Sequence, residues 1–190
     1  MNFLKIFIIL FLMPLFLSNC AKEEKTSLIV EEDVELQMIR AFKEGYDEFR
    51  EGDALFAAKK FNEAELLFPQ SSWAPKAALM AAYVYYSQDY YFDAESELKR
   101  FIKTYPNNPD LNYAHFLLAM CYYEKIVDEK KDTGPLLQAQ EKFNFIVKEY
   151  PNSDYALDAK YKLDLIQEYL ASKEMYIASH YLKNEHNLNQ

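Results

Sequence analysis

Apolar positions recur with helical spacing over most of this chain, in segments of two alternating kinds. Three segments are amphipathic and end in proline: AAKKFNEAELLFP from Ala57, AESELKRFIKTYP from Ala94 and AQEKFNFIVKEYP from Ala139. Each opens on an alanine, carries Phe61, Leu98 or Phe143 four residues on, and closes on Pro69, Pro106 or Pro151 twelve residues on. Apolar groups at i, i+4 and i+7 share one helix face, and proline stops the helix. Eight residues after each proline stands another alanine: Ala77, Ala114 and Ala159. Before each such segment lies a second apolar helix, roughly Leu36 to Arg50, Pro75 to Ser87 and Asn112 to Val127. These predict three helical hairpins in which the small alanines mark where one helix crosses another. A hairpin of this kind cannot bury its own apolar face, so stacked hairpins, a solenoid, are expected.

The repeat steps are 37 and 45 residues, and the excess lies in EKIVDEKKDTGPL. There DEKKD (Asp128 to Asp132) reads as an exposed loop, and Gly134-Pro135 as the start of the second helix of hairpin three. The pattern resembles the tetratricopeptide repeat. The second unit carries Ala82, Tyr85, Tyr91, Ala94, Leu98 and Pro106 at that motif's spacing. The first carries Gly45, Gly52, Ala57, Phe61, Ala64 and Pro69. A fourth unit, from about Ser153 to Lys183, has no Gly or Pro and reads as one long helix or two joined end to end. Its stripe of Met175, Ala178, Tyr181 and Leu182 has nothing after it to cover it. The fold class is therefore all-α, a TPR-like solenoid of about three and a half hairpins.

The first residues follow a different logic. Lys5 precedes an apolar run from Phe7 to Leu17, too short for a spanning helix and matching a secretory signal. It leads into Leu17-Ser18-Asn19-Cys20, which resembles the bacterial lipoprotein cleavage box, with Asn19 where Gly, Ala or Ser is usual. Cys20 is then the lipidated first residue of the mature chain, and several acyl chains make a stable anchor. Ala21 in second place implies transport to the outer membrane rather than inner-membrane retention. The expected division is a signal peptide at 1–19, an anchor and tether at 20–34, the repeat domain at 35–184 and a tail at 185–190. The other cysteine, Cys121, is left without a disulfide partner and is expected in the core.

Composition narrows the function classes. The chain has 190 residues, 51% of them hydrophobic and 16% aromatic, so it is not a disordered chain. Three glycines are too few and too scattered for a phosphate loop or dinucleotide fingerprint. The net charge is −9, and removing Met1 to Asn19 deletes one lysine and no acid, giving −9 − 1 = −10. Nucleic acid is not an expected partner, because phosphate binding needs a basic face. His115, His180 and His186 lack metal-ligand spacing, and no catalytic constellation emerges, so no cofactor and no enzyme activity are expected.

Three stretches carry a narrower resemblance. FPQSSWAPKAALMAAYVYY (Phe68 to Tyr86) is similar to the aromatic-Pro-x-Ser-x-aromatic-Ala turn and Tyr-rich helix of the BamD-type outer-membrane assembly lipoproteins. LKRFIKTYPNNPDLNYAHFLLAM (Leu98 to Met120) and YPNSDYALDAKYKLDLIQEYLASKEMYIASHYLK (Tyr150 to Lys183) are similar to later pieces of that family. The resemblance implies a non-enzymatic subunit of the machinery that folds β-barrel proteins into the outer membrane. It implies docking on the periplasmic POTRA domains of the central barrel subunit, neighbouring assembly lipoproteins, and recognition of unfolded barrel clients by the N-terminal repeats. It implies a place on the outer membrane, lipid-anchored and facing the periplasm. The family has about five hairpins, so a truncated chain or a different docking surface is expected here. The alternative function is another TPR lipoprotein that scaffolds cell-envelope (peptidoglycan) complexes; an enzyme using the Tyr-rich groove is a third.

The candidate peptide groove is Tyr83, Tyr86 and Tyr90 with His115. Tyrosines offer apolar faces with hydrogen-bonding tips, which suits extended aromatic segments. Packing between repeats is the competing role, and the expected one for Tyr85 and Tyr91. The candidate partner-contact surface is Trp73, a plug of the first joint or an anchor, together with Met175, Ala178, Tyr181 and Leu182. Lys99, Arg100 and Lys103 form a basic patch with helical spacing, read as a solvated face or a site for an acidic partner.

Overall fold

The structure is a computed structural model that describes residues 33–125 and 133–188, with side chains as far as 182. The signal, tether and Cys20, the DEKKD loop and the C-terminal tail's side chains lie outside the described residues. Seven helices follow one another among them: α1 (Val34–Glu51), α2 (Ala54–Leu67), α3 (Ala74–Ser87), α4 (Tyr91–Thr104), α5 (Leu111–Glu124), α6 (Gly134–Glu149) and α7 (Asp154–Leu188). Each packs mainly on its neighbours in sequence, and α3–α5 and α5–α7 also touch. That is the hairpin stack the repeat predicts, with α1, α3, α5 and α7 as inner helices and α2, α4 and α6 as outer ones.

Local sequence sets the helix ends. Asp33 accepts a hydrogen bond from the Glu35 N–H, and Asp53 one from the Phe56 N–H at 2.9 Å, each satisfying a donor left free by the first turn. Gly52, at φ 91°, takes the left-handed position that ends α1. Asp89, at φ 63°, does the same work between α3 and α4 and accepts from the Tyr91 hydroxyl at 2.5 Å. After each proline the next inner helix is prepared two residues on. Ser71 Oγ accepts from the Ala74 N–H, Asn108 Oδ1 from the Asp110 N–H, and Ser153 Oγ from the Ala156 N–H. Proline thus ends one helix and its polar follower begins the next. The α5 helix is described to Glu124, with Lys125 as its C-cap and the Lys125 ammonium held by Glu95; the expected end at Val127 lies outside the described residues.

Packing explains the repeat. Ala57, Ala94, Ala139, Ala77, Ala114 and Ala159 are all at most 1% exposed, and Phe61, Leu98 and Phe143 are fully buried. Burial of Phe61, Leu98 and Phe143 contributes about 1.5–3 kcal/mol each. At the first crossing a Cβ on Gly45 would sit 3.1 Å from the Ala57 carbonyl oxygen and 3.2 Å from the Phe61 ring, so the helices meet closely there. Cys121 is buried, as expected, and burial pushes its thiol up to about 12.

The two ends of the stack differ. Ala77, Ala81 and Val84 of α3 pack in clusters with residues of α2, and Ala74, one turn before them, is fully buried. One repeat earlier, α1 has Gln37, Arg40, Glu44 and Asp47 at those positions, a polar face suited to water. The last inner helix, α7, runs unbroken for 35 residues, about 50 Å. It is anchored through Ala156, Ala159 and Ile166. The stretch from Ile166 to Ala171 offers no glycine, asparagine or aspartate for a left-handed turn, so the helix continues where its predecessors turn back.

Candidate functional site

The inner faces of α1, α3 and α5 form an apolar groove. Its first hollow, about 370 Å³, is lined by Met38, Ile39, Phe42, Lys43, Tyr46 and Trp73. A second, about 400 Å³, is lined by Phe42, Lys76, Leu79, Met80, Tyr83, Asp110 and Tyr113. Phe42 belongs to both, so the two hollows are halves of one groove. Helical spacing builds it: Ile39, Phe42 and Tyr46 share a face of α1, and Lys76, Leu79, Met80 and Tyr83 a face of α3.

Aromatic contacts hold the walls in place. Phe42 meets Phe61 and Trp73 edge-on, with ring centres 5.1 and 5.3 Å away. Tyr83 meets Phe49 edge-on at 6.0 Å. Trp73 is 44% exposed and has the Lys76 ammonium 4.9 Å from its ring. It therefore packs into the first joint and also faces the groove. Tyr113 packs on Tyr155 at 5.4 Å, and burial raises its hydroxyl pKa well above the ordinary tyrosine value. The groove takes apolar surface and offers tyrosine hydroxyls, the Lys43 and Lys76 ammonium groups and the Asp110 carboxylate.

The four residues expected to form the groove are not all in it. Tyr83 lines it. Tyr86 packs at a tilt against Tyr91, with ring centres 5.8 Å apart, and burial pushes its hydroxyl up to about 12. Tyr90 faces a separate, polar cleft with Glu51, Asp53 and Gln88. His115 lies against Phe145 at 4.7 Å and near Tyr150, with Nδ1 lacking a hydrogen-bond partner; burial, then Lys142, lowers its pKa. The sequence reading missed Ile39, Phe42, Tyr46, Leu79, Met80 and Tyr113. Their signal was present as inner-helix apolar residues outside the alanine register.

The expected basic patch is mostly not one. Arg100 forms a two-pronged pair with Glu65 of α2, at 2.9 and 2.7 Å, and also reaches Asn62 and Glu97. The Tyr105 hydroxyl donates to Glu65 at 2.7 Å. Lys99 pairs with Glu95, which also accepts from Lys125 and Tyr122 of α5. Burial opposes ionisation of Glu95, but those three donors outweigh it and hold its carboxyl at about 2. Two polar clamps thus cross the first two hairpin joints, and the cations are spent on them.

At the other end, Met175, Tyr181 and Leu182 are 74%, 71% and 68% exposed, and Ala178 is exposed too. With Ala171, three of them fall in a known register. Ala171, Met175, Ala178 and Leu182 repeat the spacing of Ala57, Phe61, Ala64 and Phe68, of Ala94, Leu98, Phe101 and Tyr105, and of Ala139, Phe143, Ile146 and Tyr150. The first three residues of each earlier set are fully buried. The stripe of α7 is thus an outer-helix face without its cover among the described residues. Among those residues no group of His, Cys, Asp and Glu could hold a metal ion, and no helix is long and apolar enough to cross a membrane.

Comparison with known proteins places the chain. Residues 34–189 match the family model YfiO, described as outer membrane lipoprotein. The chain is 36% identical over 88% of its length to the outer membrane protein assembly factor BamD of Caulobacter vibrioides, covering 54% of that protein. It is 34% identical over 72% of its length to the factor of the same name from Rickettsia prowazekii, covering 57%. The chain therefore spans about half the length of these curated relatives. Among solved structures, the Arabidopsis OM64 TPR domain superposes with a TM-score of 0.52 at 11% identity, covering 70% of this chain and 98% of that one. The first TPR domain of human RPAP3 gives 0.52 at 18%, covering 74% and 97%. Those two likenesses show the TPR-like fold.

Proposed function

The chain belongs to the YfiO family of outer membrane lipoproteins, and from that premise we propose that it is a non-catalytic subunit of the machinery that assembles barrel proteins in that membrane. Its relatives carry the name of assembly factors. Cys20, lipidated, holds it to the membrane, and the tether to residue 34 sets its reach. The groove of α1, α3 and α5 binds extended, aromatic-rich segments of unfolded barrel clients. The observation that carries this reading is the groove itself: two joined apolar hollows walled by Phe42, Tyr46, Trp73, Leu79, Met80 and Tyr83. An extended client strand displays side chains alternately, and every second one can enter the hollows. The stripe of Met175, Ala178, Tyr181 and Leu182 is the docking face toward the central barrel subunit or a neighbouring assembly lipoprotein, since Met175 and Ala178 stand at positions that are fully buried in each earlier outer helix.

The test uses the single tryptophan of the chain, which lies in the groove. A ten-residue peptide alternating Phe or Tyr with Thr or Gln is titrated into the mature protein while Trp73 emission is followed. A saturable change that Phe42→Asp and Met80→Asp abolish supports the reading. No change, or a change that both variants retain, refutes it.

A further inference from the structure

Apolar contact between stacked hairpins is strong but non-directional; it resists separation more than it resists sliding or tilting. The joint between hairpins one and two carries a directional device besides. Arg100 of α4 places both terminal nitrogens on the two oxygens of Glu65 in α2, while its Nε donates to Glu97 and Nη2 to Asn62. Asn62 in turn donates to Glu97, and the Tyr105 hydroxyl caps Glu65 from the end of α4. Glu65 is 5% exposed, a buried polar residue of the stack, and its carboxylate's bonds to Arg100 and Tyr105 cross to the neighbouring hairpin. A planar guanidinium on a planar carboxylate fixes both distance and angle.

This clamp joins the outer helices, whereas the groove opens between the inner ones. In a solenoid the spacing of the outer helices against that of the inner ones sets the curvature. We infer that Arg100 is a positioning residue: through Glu65 it fixes the tilt between hairpins one and two and so the width of the groove between α1 and α3. The inference rests on the groove being the client site, but its geometric part does not. The Glu65 carboxylate is buried and Arg100 is partly exposed; a pair with a buried member seldom raises net stability over an apolar replacement, and setting register is its best-attested use.

The test removes both charges at once, so that no buried charge is stranded. The variant is Glu65→Met with Arg100→Leu, in the mature chain with Cys20→Ser. Spin labels go on Asp47→Cys in α1 and Asn107→Cys after α4, both exposed and outside the groove; Cys121 is buried and resists labelling. Helix content and melting temperature report folding, and a Glu65→Asp variant with Arg100 intact shows the effect of a shortened but still charged clamp. The inference expects the double variant to keep its helix content while the distance distribution shifts or broadens, with Glu65→Asp in between. It also expects affinity for the alternating aromatic peptide, read from Trp73, to fall roughly tenfold. Unchanged distances in the folded double variant overturn it, as does wild-type affinity alongside changed distances. If the unsubstituted protein binds no peptide at all, the binding reading fails, and the distances alone decide whether the clamp sets the tilt.

Discussion

The stretch from Ala57 to Phe68 and the stretch from Ala171 to Leu182 carry the same spacing of apolar residues and meet opposite fates. In α2 the face is shut between α1 and α3, with Phe61 fully buried. In α7 the same face lies open, with Met175 74% exposed. The difference is not in the stripe but in what precedes it. Gly52 breaks the chain into a left-handed turn ahead of α2, and nothing between Ile166 and Ala171 can do so cheaply ahead of Met175. Facing residues differ as well. Gly45 lets α2 come close, while the α7 position that corresponds to Ala82 is Asp164. A repeat motif therefore specifies a face that needs covering; the turn and the opposing residue decide whether its own hairpin supplies the cover.

The widest gap between the two stretches should appear on truncation. Phe61→Ala is expected to cost about 3–5 kcal/mol, and Met175→Ala less than about 0.5 kcal/mol, both by urea unfolding. Equal losses would mean that the α7 stripe is covered in solution. Next comes the clamp. Arg100→Ala strands the Glu65 carboxylate and should cost about 2–3 kcal/mol, held down by the partial exposure of Arg100, whereas Lys103→Ala should be nearly silent. Gly45→Ala sharpens the role of the close crossing. Alanine is the better helix former, yet its methyl would meet the Ala57 carbonyl and Phe61, so a loss of about 1–2 kcal/mol is expected in thermal melts.

The smallest expected effect concerns acid. Glu95 is held at about 2, below the ordinary 4.5, by its three donors, against the opposing pull of burial. Its contribution to stability is present above about pH 4.5 and is lost as pH falls toward 2. Glu95→Gln should therefore flatten the stability–pH curve in that window and leave it parallel to wild type from pH 6 to 8. An unchanged acid limb would show that other carboxylates govern it.

Much of the fold was legible because alanine and proline act locally. Ala57, Ala94 and Ala139 and the three prolines mark crossings and ends whatever surrounds them. The site was less legible. Tyr83, Tyr86 and Tyr90 are close in sequence, but one helix sends them in different directions, and the turn at Asp89 carries Tyr90 to another cleft. The groove needs Phe42 and Met80, which come from different repeats and have no shared motif. Arg100 looked like a free cation because its partner Glu65 lies 35 residues earlier, beyond the reach of helix spacing. Long-range polar pairing has no periodicity to betray it.

The proposed client site predicts where an unfolded barrel protein would crosslink to this chain. A photo-reactive amino acid placed at Met80 in cells, with Lys103 on the outer layer and Met175 on α7 as comparisons, gives the most direct answer. Crosslinks to newly made barrel proteins at Met80, absent from Lys103, with Met175 capturing an assembly subunit instead, are the expected result. Barrel proteins captured at Lys103 as readily as at Met80, or at neither, would contradict the groove as the client site.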